Sequence, residues 1–351
     1  MADTMMRALQ LTGPGAVEVR QVPIPSVGPT EVLVKVGAAG ICHSDLHLLH
    51  FPVKIREEPL TLGHEIAGTV AAVGAQVTGI ADGDRGVVYL CWSCGVCREC
   101  VSGNENVCEA AGRTAMPPCP GLGPDGGMAE YVVVPARSFV PIGALDVTQA
   151  APIADAGLTS MHAIAGVREH LRPGATAMVI GVGGLGHVAV QILKAISPVR
   201  IVAVDVGADQ LELAARCGAD VALESGSDTA AAILEMTGGR GADVVLDFVG
   251  VDATAQMSVA AVAPNGAYRM VGLGGGTPGI TAEPAGGPGW PWGASVRKSY
   301  GGTRSDLIDV IELAKAGKVD VAVETFPLDD AATALERLEQ GRIRGRAVLI
   351  P

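Results

Sequence analysis

Two textures of apolar patterning divide the chain. Up to about residue 150, short apolar or alternating runs (Glu31–Val36, Ile66–Val73, Gly86–Leu90, Glu130–Val134) are punctuated by Gly and Pro, which predicts a β-rich region. From about residue 152, strands alternate with helix-period segments. Thr176–Ile180 is an apolar strand leading into a helix with Leu185, Val188, Ala189, Ile192 and Ile196 on one face. Arg200–Val204, Asp220–Leu223, Asp243–Phe248 and Ala267–Val271 are predicted strands. Ala208–Cys217 (stopped by Gly218), Asp228–Met236 and Ala253–Ala261 are predicted helices. Such alternation implies βαβ units on a parallel sheet. Gly274–Gly293 reads as a loop, Ser305–Ala316 as a helix, and the remainder as short strands. The expected class is α/β, with a β-rich domain over 1–155 and 296–351 and a doubly wound domain over 156–295.

Composition narrows this picture. A chain of 351 residues suits two domains, and 48% apolar with 18% charged residues excludes a disordered polymer. A net charge of −12 argues against nucleic acid and anionic membrane as partners. From Pro173 to Leu193 no formal charge occurs, long enough for a membrane span of ~20 residues. Gly174, Gly181, Gly183, Gly184 and Gly186 interrupt the window, and its period changes midway, so a buried strand-turn-helix is the better reading. Met1–Gln10 lacks the apolar stretch of a secretory signal, which points to the cytoplasm. Five of the eight cysteines lie between Cys91 and Cys108, which in a reducing compartment indicates metal rather than disulfides.

Three motifs carry chemistry. Gly181-Val182-Gly183-Gly184-Leu185-Gly186 follows an apolar strand and opens a helix, the context that makes G-x-G-x-x-G a dinucleotide turn. Pyrophosphate then sits on free N–H groups at the helix N-terminus. Asp205 closes the second strand ~20 residues on, where a carboxylate accepts both ribose hydroxyls of NAD and repels the 2′-phosphate of NADP. Cys94, Cys97, Cys100 and Cys108 have the spacing of a closed, structural zinc knuckle. Finally, Cys42-His43-Ser44-Asp45-Leu46-His47 precedes Gly63-His64-Glu65-Ile66-Ala67-Gly68, with Gly74 beyond. His64 alone would be a packed histidine and Cys42 alone a buried thiol.

Taken in order, these motifs resemble the zinc-dependent medium-chain alcohol dehydrogenases over essentially the whole chain. The similarity is strongest to bacterial NAD-dependent secondary alcohol dehydrogenases, partly through Asp155-Ala156-Gly157-Leu158-Thr159. The resemblance implies a GroES-like catalytic domain and a Rossmann domain. It implies two zinc ions per subunit: a catalytic one on Cys42, His64 and Asp155, and a structural one on the four-cysteine lobe. Asp155 departs from the Cys₂His set of alcohol dehydrogenase. Glu65 would stand behind the catalytic metal. Asp45 would take the second ring N–H of His64. Ser44 and His47 would relay the alcohol proton to water by way of the ribose hydroxyl. His43 stands where some members anchor pyrophosphate through Arg, and Arg344 would carry more of that contact. The nicotinamide would lie near Phe248, Val271 and Leu273. Trp92, Trp290, Trp292 and Tyr300 would border a small apolar substrate, with core packing or subunit contact an equal alternative for each.

The implied reaction moves hydride between NAD(H) and a secondary alcohol or ketone with an apolar substituent. Zinc lowers the pKa of water from 15.7 to about 7. A similar shift of ~9 units for an alcohol is worth on the order of 12 kcal/mol. The competing expectations are a polyol or sugar dehydrogenase, and a non-catalytic zinc- and nucleotide-binding protein. The first would want polar groups that Trp290–Tyr300 lacks, and the second is disfavoured by an intact Cys42, His64 and Asp155. A homotetramer is usual among such relatives, with a dimer the alternative.

Overall fold

The computed structural model describes residues 4–52, 56–280 and 290–351. The chain divides into two compact units: Met1–Leu158 with Gly301–Ala316 and Asp320–Pro351, and Thr159–Tyr300 with Gly317–Val319. The sequence reading put the outer boundary at 295/296. That point falls inside the strand Ser295–Lys298, which hydrogen-bonds into the sheet of the second unit.

In the first unit, a seven-stranded sheet runs in the order Val323–Pro327, Arg346–Ile350, Glu31–Ile41, Glu65–Val73, Arg85–Val88, Phe139–Pro141, and Tyr131–Pro135 also pairs with Glu31–Ile41. Val32, Val34, Ile41, Leu62, Ile66, Val70 and Phe139 build its core. A smaller antiparallel sheet comprises Ala16–Pro23, Met5–Gly13 and Leu60–Thr61. The C-terminal region differs from expectation. Between the strands Val323–Pro327 and Arg346–Ile350 lies a helix, Ala331–Glu339. Its buried Ala331, Ala334, Leu335 and Leu338 follow the helical period and join the core. The last strand then pairs antiparallel with Glu31–Ile41 at Ala347↔Ile41, bringing Arg346 next to Cys42.

The second unit holds six parallel strands in the order Val221–Glu224, Arg200–Asp205, Thr176–Ile180, Ala242–Asp247, Val262–Met270, Ser295–Lys298. The order reverses beside Thr176–Ile180, and dinucleotides bind at such a switch point. Thr176–Ile180 and Ala242–Asp247 are buried throughout, because helices cover both faces of a parallel sheet. Val262–Met270 starts earlier than expected. Pro264-Asn265-Gly266 resembles a turn, but a register shift between Ala242 and Val244 and a φ of 57° at Asn265 carry the strand through it.

Candidate active site

Donor atoms of Cys42, His64, Glu65 and Asp155 lie within 4.8 Å of one another in the first unit. Cys42 follows the strand Glu31–Ile41 and caps the helix His43–Leu49. His64 immediately precedes Glu65–Val73. Asp155 sits in a π-helical turn, Ile153–Gly157, between the helices Val147–Pro152 and Leu158–Ala165. Such a turn inserts one residue into the helical repeat and re-aims the side chains it carries. Asp155 Oδ2 is 3.5 Å from Cys42 Sγ and 3.6 Å from His64 Nε2. Zinc bonds of ~2.0–2.3 Å at tetrahedral angles put donors about 3.3–3.8 Å apart, so this set fits the metal.

Asp45 and Arg346 complete the surroundings. Asp45 Oδ2 accepts the Cys42 N–H at 2.8 Å, and its Oδ1 lies 3.7 Å from His64 Nδ1. Neither of those facing atoms has a hydrogen-bond partner among the described residues, although both residues are buried. A metal on Nε2 fixes the proton on Nδ1 and gives it a carboxylate to meet. Arg346, 3% exposed, donates to both oxygens of Glu65 and, at 3.1 Å, to Asp155 Oδ2. Burial pushes the Glu65 carboxyl up to about 7 against the pull of Arg346. Burial lowers His64, but Asp45, Asp155 and Cys42 outweigh it and hold the imidazole well above its ordinary range. The carboxylates and thiol that favour the charged form of His64 also favour a cation among them.

The four-cysteine lobe is equally well formed. Cys94, Cys97, Cys100 and Cys108 place their sulfurs within 4.8 Å, with Cys94–Cys100 at 3.9 Å and Cys97–Cys108 at 4.0 Å. Zinc–sulfur bonds of ~2.3 Å require about 3.8 Å between sulfurs. Backbone N–H groups of Val96 and Cys97 point at Cys94 Sγ and lower its pKa, favouring the thiolate that binds metal.

In the second unit, Gly181 has φ 83°, and a Cβ on Gly186 would lie 1.9 Å from the Gly181 carbonyl oxygen. The turn and the helix Gly186–Ile196 therefore meet in contact only glycine allows. Nothing lies within 4 Å of a Cβ on Gly183, leaving its backbone open to a phosphate. Leu185 caps the helix, and its carbonyl accepts the Ser160 hydroxyl at 3.1 Å. Gly184 lies between them in the turn. Asp205 accepts the N–H of Val182 at 2.6 Å and of Gly207 at 3.0 Å, so this carboxylate fastens the glycine turn. Asp247, which the sequence reading did not single out, shapes the other side. It accepts the N–H groups of Val249 and Gly250, each at 2.9 Å, and the Tyr268 hydroxyl at 3.0 Å. Its carbonyl accepts the N–H groups of Val271 and Gly272. Phe248 and Val271–Leu273 are thereby held around one residue.

Residues 28–144 match the alcohol dehydrogenase GroES-like domain, and residues 184–316 the zinc-binding dehydrogenase domain. An NAD-dependent alcohol dehydrogenase of Sulfurisphaera tokodaii is 36% identical, covering 99% of this chain and 100% of its own. The chain belongs to the zinc-dependent medium-chain alcohol dehydrogenases. A family member of Saccharolobus solfataricus, a D-arabinose 1-dehydrogenase (NADP(+)), is 34% identical over 95% of this chain and 94% of its own. The structure of an acetophenone reductase from Geotrichum candidum in complex with NAD has a TM-score of 0.83 at 33% identity. That match covers 100% of this chain and 98% of the other.

The remaining family positions fall as follows. Ser44 is half-buried, its Oγ 3.7 Å from Cys42 Sγ, and His47 is exposed one turn further along the same helix. His43 is exposed at its rim, its pKa lowered by desolvation and then by Arg346 and His47. Arg344 is exposed, with its N–H on Glu324 at 2.8 Å. The cation next to the donors is Arg346, which the sequence reading missed. Its signal was an arginine opening the otherwise apolar run Ala347–Ile350. Of the four aromatic candidates, Trp92 packs on the core of the first unit. Trp290 packs on the core of the second and donates to the Ala294 carbonyl at 2.7 Å. Trp292 is 78% exposed, and Tyr300 is half-buried.

Proposed function

We propose that this protein is an NAD-dependent alcohol dehydrogenase. It interconverts secondary alcohols and ketones bearing an apolar substituent, with one zinc on Cys42, His64 and Asp155 and a second on the four-cysteine lobe. The observation that carries this reading is the convergence of Cys42, His64 and Asp155 at tetrahedral donor spacing, with Asp45 facing the back of His64. The metal supplies Lewis acidity to the alcohol or ketone oxygen. Asp45 orients His64. Arg346 holds Glu65 and Asp155. Ser44 and His47, three residues apart on one helix, carry the alcohol proton from the half-buried to the exposed end. Asp205, followed by Val206 and Gly207 without a cation, favours NAD over NADP.

The apolar preference is supported by the similarity to the acetophenone reductase rather than by the tryptophans, since Trp290 is committed to the core. The similarity to the D-arabinose enzyme supports a second reading, a sugar dehydrogenase. Oxidation rates with NAD and NADP on matched secondary alcohols, primary alcohols and pentoses separate the two. A kcat/KM highest for an aryl or alkyl secondary alcohol with NAD is expected, and preference for a pentose would transfer the assignment. We place the enzyme in the cytoplasm, where the lobe thiols stay reduced, and as a homotetramer. Light scattering tests the latter against a dimer. Among the described residues no helix is long and apolar enough to cross a membrane.

A further inference from the structure

Strands of a covered parallel sheet carry apolar side chains, yet Val262–Met270 contains Arg269, only 7% exposed. Its Nη2 donates to the Gly166 carbonyl at 2.7 Å and its Nη1 to the Tyr268 carbonyl at 3.3 Å, while Nε has no partner among the described residues. No described carboxylate hydrogen-bonds to it. The neighbour in register on the edge strand is a second arginine, Arg297, which is exposed. Residues paired in register share a sheet face, so the two side chains leave the sheet on one side, and the charge of Arg297 acts on Arg269. Burial, then Arg297, lowers the pKa of Arg269. The acid that acts on it, Glu169, has a side chain 79% exposed and lies 3.4 Å from His170 Nε2. A buried guanidinium without a counter-charge is unfavourable, and a like charge beside it makes it more so. Gly166 is exposed, so the tip of Arg269 reaches just beneath the surface.

We propose that Arg269 and Arg297 bind a small phosphate-like oxyanion on this face of the parallel sheet. The site lies two strands, roughly 10 Å, from the strand that feeds the glycine turn. Two planar forks with unused N–H groups are the donor set that tetrahedral oxyanions take. The occupant gives Arg269 a hydrogen-bonded counter-charge that none of the described carboxylates supplies, and draws Arg297 towards it.

The test uses the whole enzyme saturated with NAD, which keeps phosphate off the dinucleotide turn. Inorganic phosphate is titrated calorimetrically, and melting is followed with and without it, against potassium chloride at equal ionic strength. Phosphate should bind and raise the melting temperature. Arg297→Gln, an exposed change that leaves the fold alone, should weaken binding about tenfold. Arg269→Met should abolish it while holding or raising the melting temperature in chloride. No phosphate response in the wild type would overturn the site, and so would equal affinity in wild type and Arg297→Gln. Should Arg269→Met not fold, the Arg297→Gln comparison decides alone.

Discussion

Gly40→Ala probes the buried end of the donor cluster without touching a donor. A Cβ built on Gly40 falls 1.8 Å from Glu65 Oε2, where ordinary contact begins at 3.4 Å. The carboxylate must therefore retreat by about 1.6 Å, the difference between those values. It has no free space, since Glu65 is 0% exposed and both its oxygens are held by Arg346. Retreat forfeits one charge-assisted hydrogen bond, about 1.5–3 kcal/mol, or strains the packing by about 1–3 kcal/mol. A net loss of about 3 kcal/mol is expected. Chemical denaturation of the zinc-loaded enzyme measures it, with Gly123→Ala as control because nothing lies within 4 Å of a Cβ there. Arg346 also holds Asp155, so zinc analysis should show the first-unit site weakened and the four-cysteine site full. A Gly40→Ala enzyme as stable as the control, with full metal content, would mean that the Glu65–Arg346 contact is not a constraint of the folded protein.

Three other outcomes are expected. Asp155→Ala should bring zinc from two ions per subunit to one and lower kcat by about a thousandfold; NAD-linked oxidation persisting at the wild-type rate would remove Asp155 from the site. Asp205→Ala should cost about ten- to a hundredfold in kcat/KM for NAD and narrow the gap to NADP, because it deletes the acceptor for ribose and for the Val182 and Gly207 N–H groups; an undiminished preference for NAD would place discrimination elsewhere. Asp146 caps the helix leading to Asp155, accepting the Thr148 N–H at 2.9 Å, and the Thr148 hydroxyl with that N–H holds its pKa below 3.8. A folded-state pKa below the unfolded value means that the cap stabilises above about pH 4 and is lost as pH falls through the folded pKa. Asp146→Ala should thus cost about 1 kcal/mol at pH 7, and the difference from wild type should shrink below pH 4; a gap unchanged at pH 3 would contradict the assignment.

The sequence exposed the fold wherever one physical signal dominated. The parallel sheet was legible because its central strands are apolar throughout and its helices keep a 3.6-residue stripe. The motif residues that meet in space were also legible, because Cys42, His64 and the four lobe cysteines are types whose spacing has few other uses. Helix Ala331–Glu339 was not, since its apolar stripe is short and set between two strand runs. The π-turn at Ile153–Gly157 leaves no periodic mark: one extra residue in a turn is a hydrogen-bonding choice, not a composition. Asp247 and Arg346 went unseen for a related reason. Each is one polar residue at the end of an apolar strand, and its bonds go to backbone N–H groups of the next loop or to side chains on other strands, which carry no mark in the pattern.

Those omissions bear on the one departure from the family pattern. A thiolate presents one sulfur and needs little orientation, whereas a carboxylate rotates and offers two oxygens. In the proposed site, with Asp155 in the third position, something must choose the oxygen and keep Glu65, more deeply buried and close by, from competing. Arg346 is placed for both tasks: it engages both oxygens of Glu65 and directs one bond to Asp155 Oδ2, the oxygen that faces Cys42 and His64. The π-turn brings the carboxylate to within its reach, and the last strand, pairing at Ala347↔Ile41, delivers the guanidinium. The carboxylate at residue 155 and the buried arginine at residue 346 therefore make one arrangement. The C-terminal strand is part of the donor cluster's surroundings, although it lies far beyond every donor in sequence.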